Sequence, residues 1–161
     1  MIRKAPYMAT MVLLVSGGLR GQARPNCAVV PRSLAAMRDC YRPLLVFSPS
    51  GDDGRLKCQV TLLDAGADDM MDRFVLFTPI VPDGRRVTTP VDSPYTVLEA
   101  KQMSAVRAQF HIPTGEFTIL LLDEDARVLL RSGTPLAANR LNARIDQLPR
   151  RQAEKLRPHA N

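Results

Sequence analysis

Apolar and polar positions alternate between two periods along this chain, and the switches mark its elements. Leu44 to Phe47 is a short, uniformly apolar run between Pro43 and Pro49, which predicts a buried strand. After the Ser48-Pro49-Ser50-Gly51 turn, Leu56, Val60, Leu63, Ala67 and Met70 or Met71 recur at helical spacing, with Asp53 as the cap. Phe74 to Val81 reads as a second strand, followed by a proline-rich loop over residues 82–95. Thr96 to Phe110 predicts a helix whose apolar face holds Val97 or Leu98, Met103 or Ala105, and Val106. Phe117 to Leu122 and Arg127 to Leu130 are strands joined by the turn Asp123-Glu124-Asp125-Ala126, which implies an antiparallel hairpin. Ala137 to Leu148 is a final helix, stopped or kinked by Pro149; Val29 to Asp39 reads as a short helix before the first strand, with Ser33 as its cap.

Strands joined through a helix run parallel with a right-handed crossover, and strands joined by a tight turn run antiparallel. The order therefore predicts an α/β, thioredoxin-like fold: a mixed four-stranded sheet with helices on both faces. Divided by composition, residues 1–23 are a signal peptide, 24–40 a lead-in segment, 41–149 the domain and 150–161 a basic tail. The 161 residues suffice for one core of this kind.

The signal reading rests on Arg3 and Lys4, the apolar run Met8 to Val15, its break at Ser16-Gly17-Gly18, and the small residues around Ala23. The run is too short to span a bilayer as a helix, whose hydrocarbon core is about 30 Å thick. It places the protein in the periplasm or outside the cell. It also changes the charge: with three basic residues and no acid removed, 19 basic and 16 acidic groups remain and the net charge falls from +6 to +3. With no Trp, three Tyr and five Phe there is little to stack on bases, so nucleic acid is not an expected partner. The expected partner is an unidentified envelope or extracellular component.

In an oxidising compartment three cysteines leave at least one unpaired, unless it pairs between chains. Cys27 and Cys40 flank one short segment and are the candidate disulfide, against the alternative of two separate small buried side chains. Cys58 stands alone beyond the first turn of its helix, opposite the apolar stripe and without a CxxC partner.

The strand-to-helix junction is where thioredoxin-type proteins hold their reactive cysteine, and here it holds Ser48, Ser50, Asp52 and Asp53. These, with Arg131, form the candidate binding corner. Read structurally, the two aspartates cap the helix and favour its positive end; read chemically, they are an acid/base pair or a cation site. Asp64, Asp68 and Asp72, with Asp69 beside them, lack the spacing and glycine of a calcium loop and read as a solvated face. His111 and His159 are not at metal-ligand spacing with any cysteine, so neither metal nor cofactor is expected. Residues 140–161 carry six basic groups against two acidic ones, either a solvated helix end or a face for anionic polymers and lipid headgroups.

The segments RPLLVFSPSGDD, the helix carrying Gln59, FTILLLDEDARVLLRS and IDQLPRRQAEKLR together resemble a bacterial thioredoxin-like domain of unknown function called P-DUDES. Related domains occur in animal sushi-repeat and extracellular-matrix proteins. The resemblance covers about Tyr41 to Arg157 and implies a relative of peroxiredoxins and thioredoxins that lacks their active cysteine. Two positions depart from that pattern: the hairpin turn lacks its basic residue and Asp-Gly, and the usual Met-Pro-Met reads Leu148-Pro149-Arg150. The combined expectation is a non-catalytic thioredoxin-fold binding module of the cell envelope. The competing class is an atypical redox or other enzyme using the Ser50/Asp52/Asp53 corner or Cys58.

Overall fold

The computed structural model describes residues 26–82 and 86–157; the expected signal segment, His159 and the end of the basic tail lie outside the described residues. Four strands, β1 (Arg42–Phe47), β2 (Val75–Ile80), β3 (Thr118–Leu122) and β4 (Val128–Ser132), form one sheet in the order β2-β1-β3-β4. β1 runs parallel to β2, with Leu44 opposite Phe77, and antiparallel to β3, with Leu45 opposite Leu120. β3 and β4 close the hairpin, with a register shift between Leu121 and Leu122. The first three strands are buried along their whole length, as their unbroken apolar sequences require; β4 is a half-exposed edge.

Among the described residues six helices surround the sheet: α1 (Leu34–Met37), α2 (Gly54–Asp64), α3 (Ala67–Asp72), α4 (Ala100–Gln109), α5 (Ala138–Ile145) and α6 (Pro149–Lys155). Arg107 of α4 lies over the ring of Phe47, and Arg55 of α2 over the ring of Phe117. Phe47 pairs with Thr118, the neighbour of Phe117, so strand alternation sends the two rings to opposite faces. Helices therefore cover both sides.

α1 is shorter than the expected Val29 to Asp39, since Ser33 caps it by accepting from Ala36 N–H and it ends at Met37. Three further boundaries differ from the sequence expectation, each for a physical reason. The long helix from Gly54 breaks after Asp64, because Gly66 sits where a Cβ would stand 2.6 Å from the Cβ of Ala138. The break lets α5 close against the α2–α3 junction, and it places Asp68 and Asp69 in the first turn of α3, where carboxylates favour the dipole. α4 starts at Ala100, not Thr96, because Thr96 is drawn onto the outer edge of β2. Its N–H donates to Phe77 O, and Phe77 N–H donates to Pro94 O. That short bridge blunts an edge that would otherwise be open to pairing. Finally, Pro149 does more than stop α5: it is the first residue of α6, a position where its missing N–H costs nothing.

Two polar contacts fix α2, the first of them buried. The side-chain amide of Gln59 donates to Leu136 O (3.0 Å) and accepts from Leu136 N–H (2.7 Å), tying α2 to the segment before α5. Asp64 accepts from the backbone N–H groups of Val91, Asp92 and Ser93 at 2.9–3.1 Å, which anchors the proline-rich loop. Asp64 is thus a loop clamp and not part of a solvated acidic row.

Candidate functional site

The junction after β1 is built from short, local bonds. Ser48 is buried, and its hydroxyl donates to Ser50 O at 2.8 Å, closing the turn. Asp53 is the N-cap of α2: its carboxylate accepts from Arg55 N–H (2.8 Å) and from the Arg55 guanidinium (3.0 and 2.8 Å). Those guanidinium hydrogen bonds hold the Asp53 carboxyl below the usual aspartate range. Asp52 points outward with its side chain 81% exposed, 3.5 Å from Lys57 Nζ. Arg131 lies on β4 and pairs with Glu116 at 3.3 Å.

The structure thus brings Ser48 and Ser50 together, gives Asp53 to Arg55 and Asp52 to Lys57, and leaves Arg131 with a different carboxylate. An acid or base working near neutral pH needs a pKa close to neutral, and Asp53 is shifted the other way. Cys58 is exposed on the outer side of α2, and it is the free cysteine among the described residues. Cys27 and Cys40 form a disulfide with a Cα–Cα distance of 5.6 Å. Among the described residues no group of three or more His, Cys, Asp or Glu is placed to hold a metal ion.

The charged residues of the C-terminal segment gather at the other end of the sheet. Arg42, the first residue of β1, is fully buried and meets Glu124 of the hairpin turn at 2.5 Å, Glu154 of α6 at 3.0 Å and the carbonyl of Arg73 at 2.7 Å. Arg151, 5% exposed, donates to the carbonyl of Asp72 at 2.9 Å, pairs with the Asp72 carboxylate, and reaches Asp146 and Glu154. Arg73 closes the network on Asp146 at 2.9 Å, and that hydrogen bond is the main cause that depresses the Asp146 pKa. Arg150, one residue from Arg151, faces outward to Asp39 and Asp125. Arg144 gives its Nε–H to Leu129 O. The acidic hairpin turn and the Asp146-to-Arg151 segment therefore work together: they latch α6 over the start of β1.

Sequence reasoning does not single out two inward-facing arginines, although both carry a signal. Arg107 falls at i+4 from Met103 and one step after Val106, inside the apolar stripe of α4; Arg42 opens an otherwise apolar strand. A charge on a buried face must be paired or hydrogen-bonded.

No curated protein matches the chain in sequence. The solved structures that share its fold include a peroxiredoxin and a thioredoxin peroxidase. The reduced 2-Cys peroxiredoxin of Plasmodium vivax superposes with a TM-score of 0.57 at 13% identity, over 74% of this chain and 84% of that one. Thioredoxin peroxidase I of Plasmodium yoelii gives 0.57 at 15% identity, over 80% and 84%. At such identity the likeness concerns architecture alone, and it agrees with the sheet order and the helices on both faces: the fold is thioredoxin-like. The sequence model of the domain of unknown function DUF4174 matches residues 33–154, from the cap of α1 to Glu154 of the α6 latch, and the chain belongs to that family.

Proposed function

We propose that this protein is an exported, non-catalytic thioredoxin-fold module that binds a partner in the cell envelope or outside the cell, and that it is of the P-DUDES type. The observation that carries the reading is the junction after β1. In place of a thiol at the helix N-terminus stand a buried serine bonded to its own turn, a capping aspartate already paired, and an aspartate turned to solvent. The peroxiredoxin and the thioredoxin peroxidase that share the fold are redox proteins by name; this chain keeps their frame without a thiol at that position. Cys58 is one turn further along, outside the first turn of α2.

Export is supported by the basic and apolar start of the chain and by the Cys27–Cys40 bridge, since such bonds persist in oxidising compartments. Among the described residues no helix is long and apolar enough to cross a membrane. Fractionating cells that express the native protein, with N-terminal sequencing of the product, tests the reading. It predicts a chain beginning near Arg24, just past Ala23, in the periplasm or medium, with Cys27 and Cys40 oxidised. A chain beginning at Met1 in the cytosol, with all cysteines reduced, would overturn it.

A further inference from the structure

An open groove of about 620 Å³ lies along α4, between that helix, Val81 and Pro82 after β2, and the residues 112–114 that lead into β3. Its wall is mainly apolar, and the polar side chains on it include Ser104, Arg107 and His111, spaced about one turn apart along α4 and just past its end; among the described residues no acidic one lines it. It shares no residue with the junction after β1.

Arg107 is the unusual member. Only 7% exposed, it donates to Ser48 O (3.2 Å), Ile80 O (2.8 Å) and Pro113 O (2.8 Å), so carbonyls take three of its five N–H donors. Two of those carbonyls end the parallel strands β1 and β2, the place where open α/β sheets bind ligands. The other buried arginines are neutralised: Arg42 by Glu124 and Glu154, Arg151 by Asp72, Asp146 and Glu154. No carboxylate pairs with Arg107 among the described residues, and burial alone pushes its pKa down. A buried charge without a counter-ion is costly, so a positive group clamped at a groove wall is pre-organised for an anion supplied from outside. One guanidinium suits a singly charged planar anion, and the exposed apolar surface of Pro82, Ala108 and Pro113 suits a hydrocarbon body beside it.

We propose that this groove binds a small amphiphilic carboxylate, its head paired with Arg107 and its apolar body lying against Pro82, Ala108 and Pro113. The proposal rests on the reading of the protein as a binding module. Hexanoate is the probe, titrated at low salt into the oxidised protein while the Met103 methyl, the His111 ring and the Arg107 Nε–H are followed by NMR. Saturable shifts confined to these groups are expected. Hexan-1-ol and hexylammonium should bind at least about tenfold more weakly, since a charge-assisted hydrogen bond is lost. Ala108→Trp, which fills the groove without touching the Arg107 bonds, should weaken hexanoate by a similar factor, as should Arg107→Gln. If Arg107→Gln does not fold, the Ala108→Trp variant and the alcohol decide alone. Absence of saturable shifts, equal binding of hexan-1-ol, or full hexanoate binding by Ala108→Trp would overturn the proposal. Cys58-dependent redox turnover would sink the binding-module reading whatever hexanoate does. A redox-silent protein that ignores hexanoate would sink only the groove.

Discussion

Arg150 and Arg151 are adjacent, carry the same charge and belong to the same basic segment, yet the structure gives them different work. Arg150 is half-exposed and its carboxylate partners, Asp39 and Asp125, are more than two-fifths exposed. Pairs of that kind contribute about 0–1 kcal/mol. Arg151 is buried, and its guanidinium joins the backbone before β2 to Asp146 and to Glu154 within α6. Breaking a buried pair by removing one partner costs roughly 3–5 kcal/mol when the other is stranded. Here the partners are not stranded: Asp146 keeps Arg73, Glu154 keeps Arg42, and Asp72 is half in water. What is lost is about one charge-assisted hydrogen bond to the Asp72 carboxylate or carbonyl plus the packing of the arginine stem, on the order of 2–3 kcal/mol. At about 4 °C per kcal/mol for a domain of this size, Arg151→Ser should lower Tm by ~10 °C and Arg150→Ser by at most ~4 °C. Thermal and urea unfolding of both variants, with the disulfide intact, measures the difference. Raising NaCl to about 0.5 M should erase the small Arg150 effect and preserve most of the Arg151 effect, because buried pairs are screened less. Equal costs for the two variants, or no cost for Arg151→Ser, would refute the latch and return the segment to the role of a solvated, binding-competent tail.

Three further outcomes follow from the same contacts. The Asp146 carboxyl is held below its ordinary value chiefly by Arg73, so its contribution is complete above the unfolded pKa of about 3.9 and is lost as pH falls through the lower folded value. Acid titration of stability should therefore show a decline below about pH 4 that is shallower in Asp146→Asn. Gly66→Ala should cost about 1–3 kcal/mol by overpacking against Ala138, measured by urea unfolding, and the added Ala138→Gly change should recover most of it. Mass spectrometry of unreduced peptides should find Cys27 joined to Cys40 with Cys58 free. Reduction should cost about 3 kcal/mol by the loop-entropy account, and any bridge to Cys58 would refute the assignment.

The sheet is legible in the sequence because its strands declare themselves. The run Leu44 to Phe47 and the run Phe117 to Leu122 are apolar with little interruption, and the four-residue turn after Leu122 fixes the hairpin. Caps are legible too, since Ser33 and Asp53 stand immediately before an apolar helical stripe. Where the reading stops short, contacts distant in sequence are responsible. Gly66 breaks a helix because Ala138 arrives 72 residues later, and Thr96 stays extended because Phe77 offers a strand edge. The basic segment reads as a tail because charge run and buried latch have the same composition; only the partners Asp72, Glu124 and Arg42 distinguish them. Of the corner, Asp53 is readable as a cap, whereas the pairing of Arg131 with Glu116 depends on which strand faces lie together. Arg107 is visible in principle, as a charge inside an apolar stripe.

The proposal that this thioredoxin-like frame works without redox chemistry stands or falls on turnover by the purified oxidised protein. Peroxide consumption with a dithiol reductant and reduction of insulin disulfides should both stay at the rate of the buffer, and Cys58→Ser should behave identically. Peroxide turnover well above that rate, lost in Cys58→Ser, would contradict the account and make Cys58 the centre of a one-cysteine enzyme.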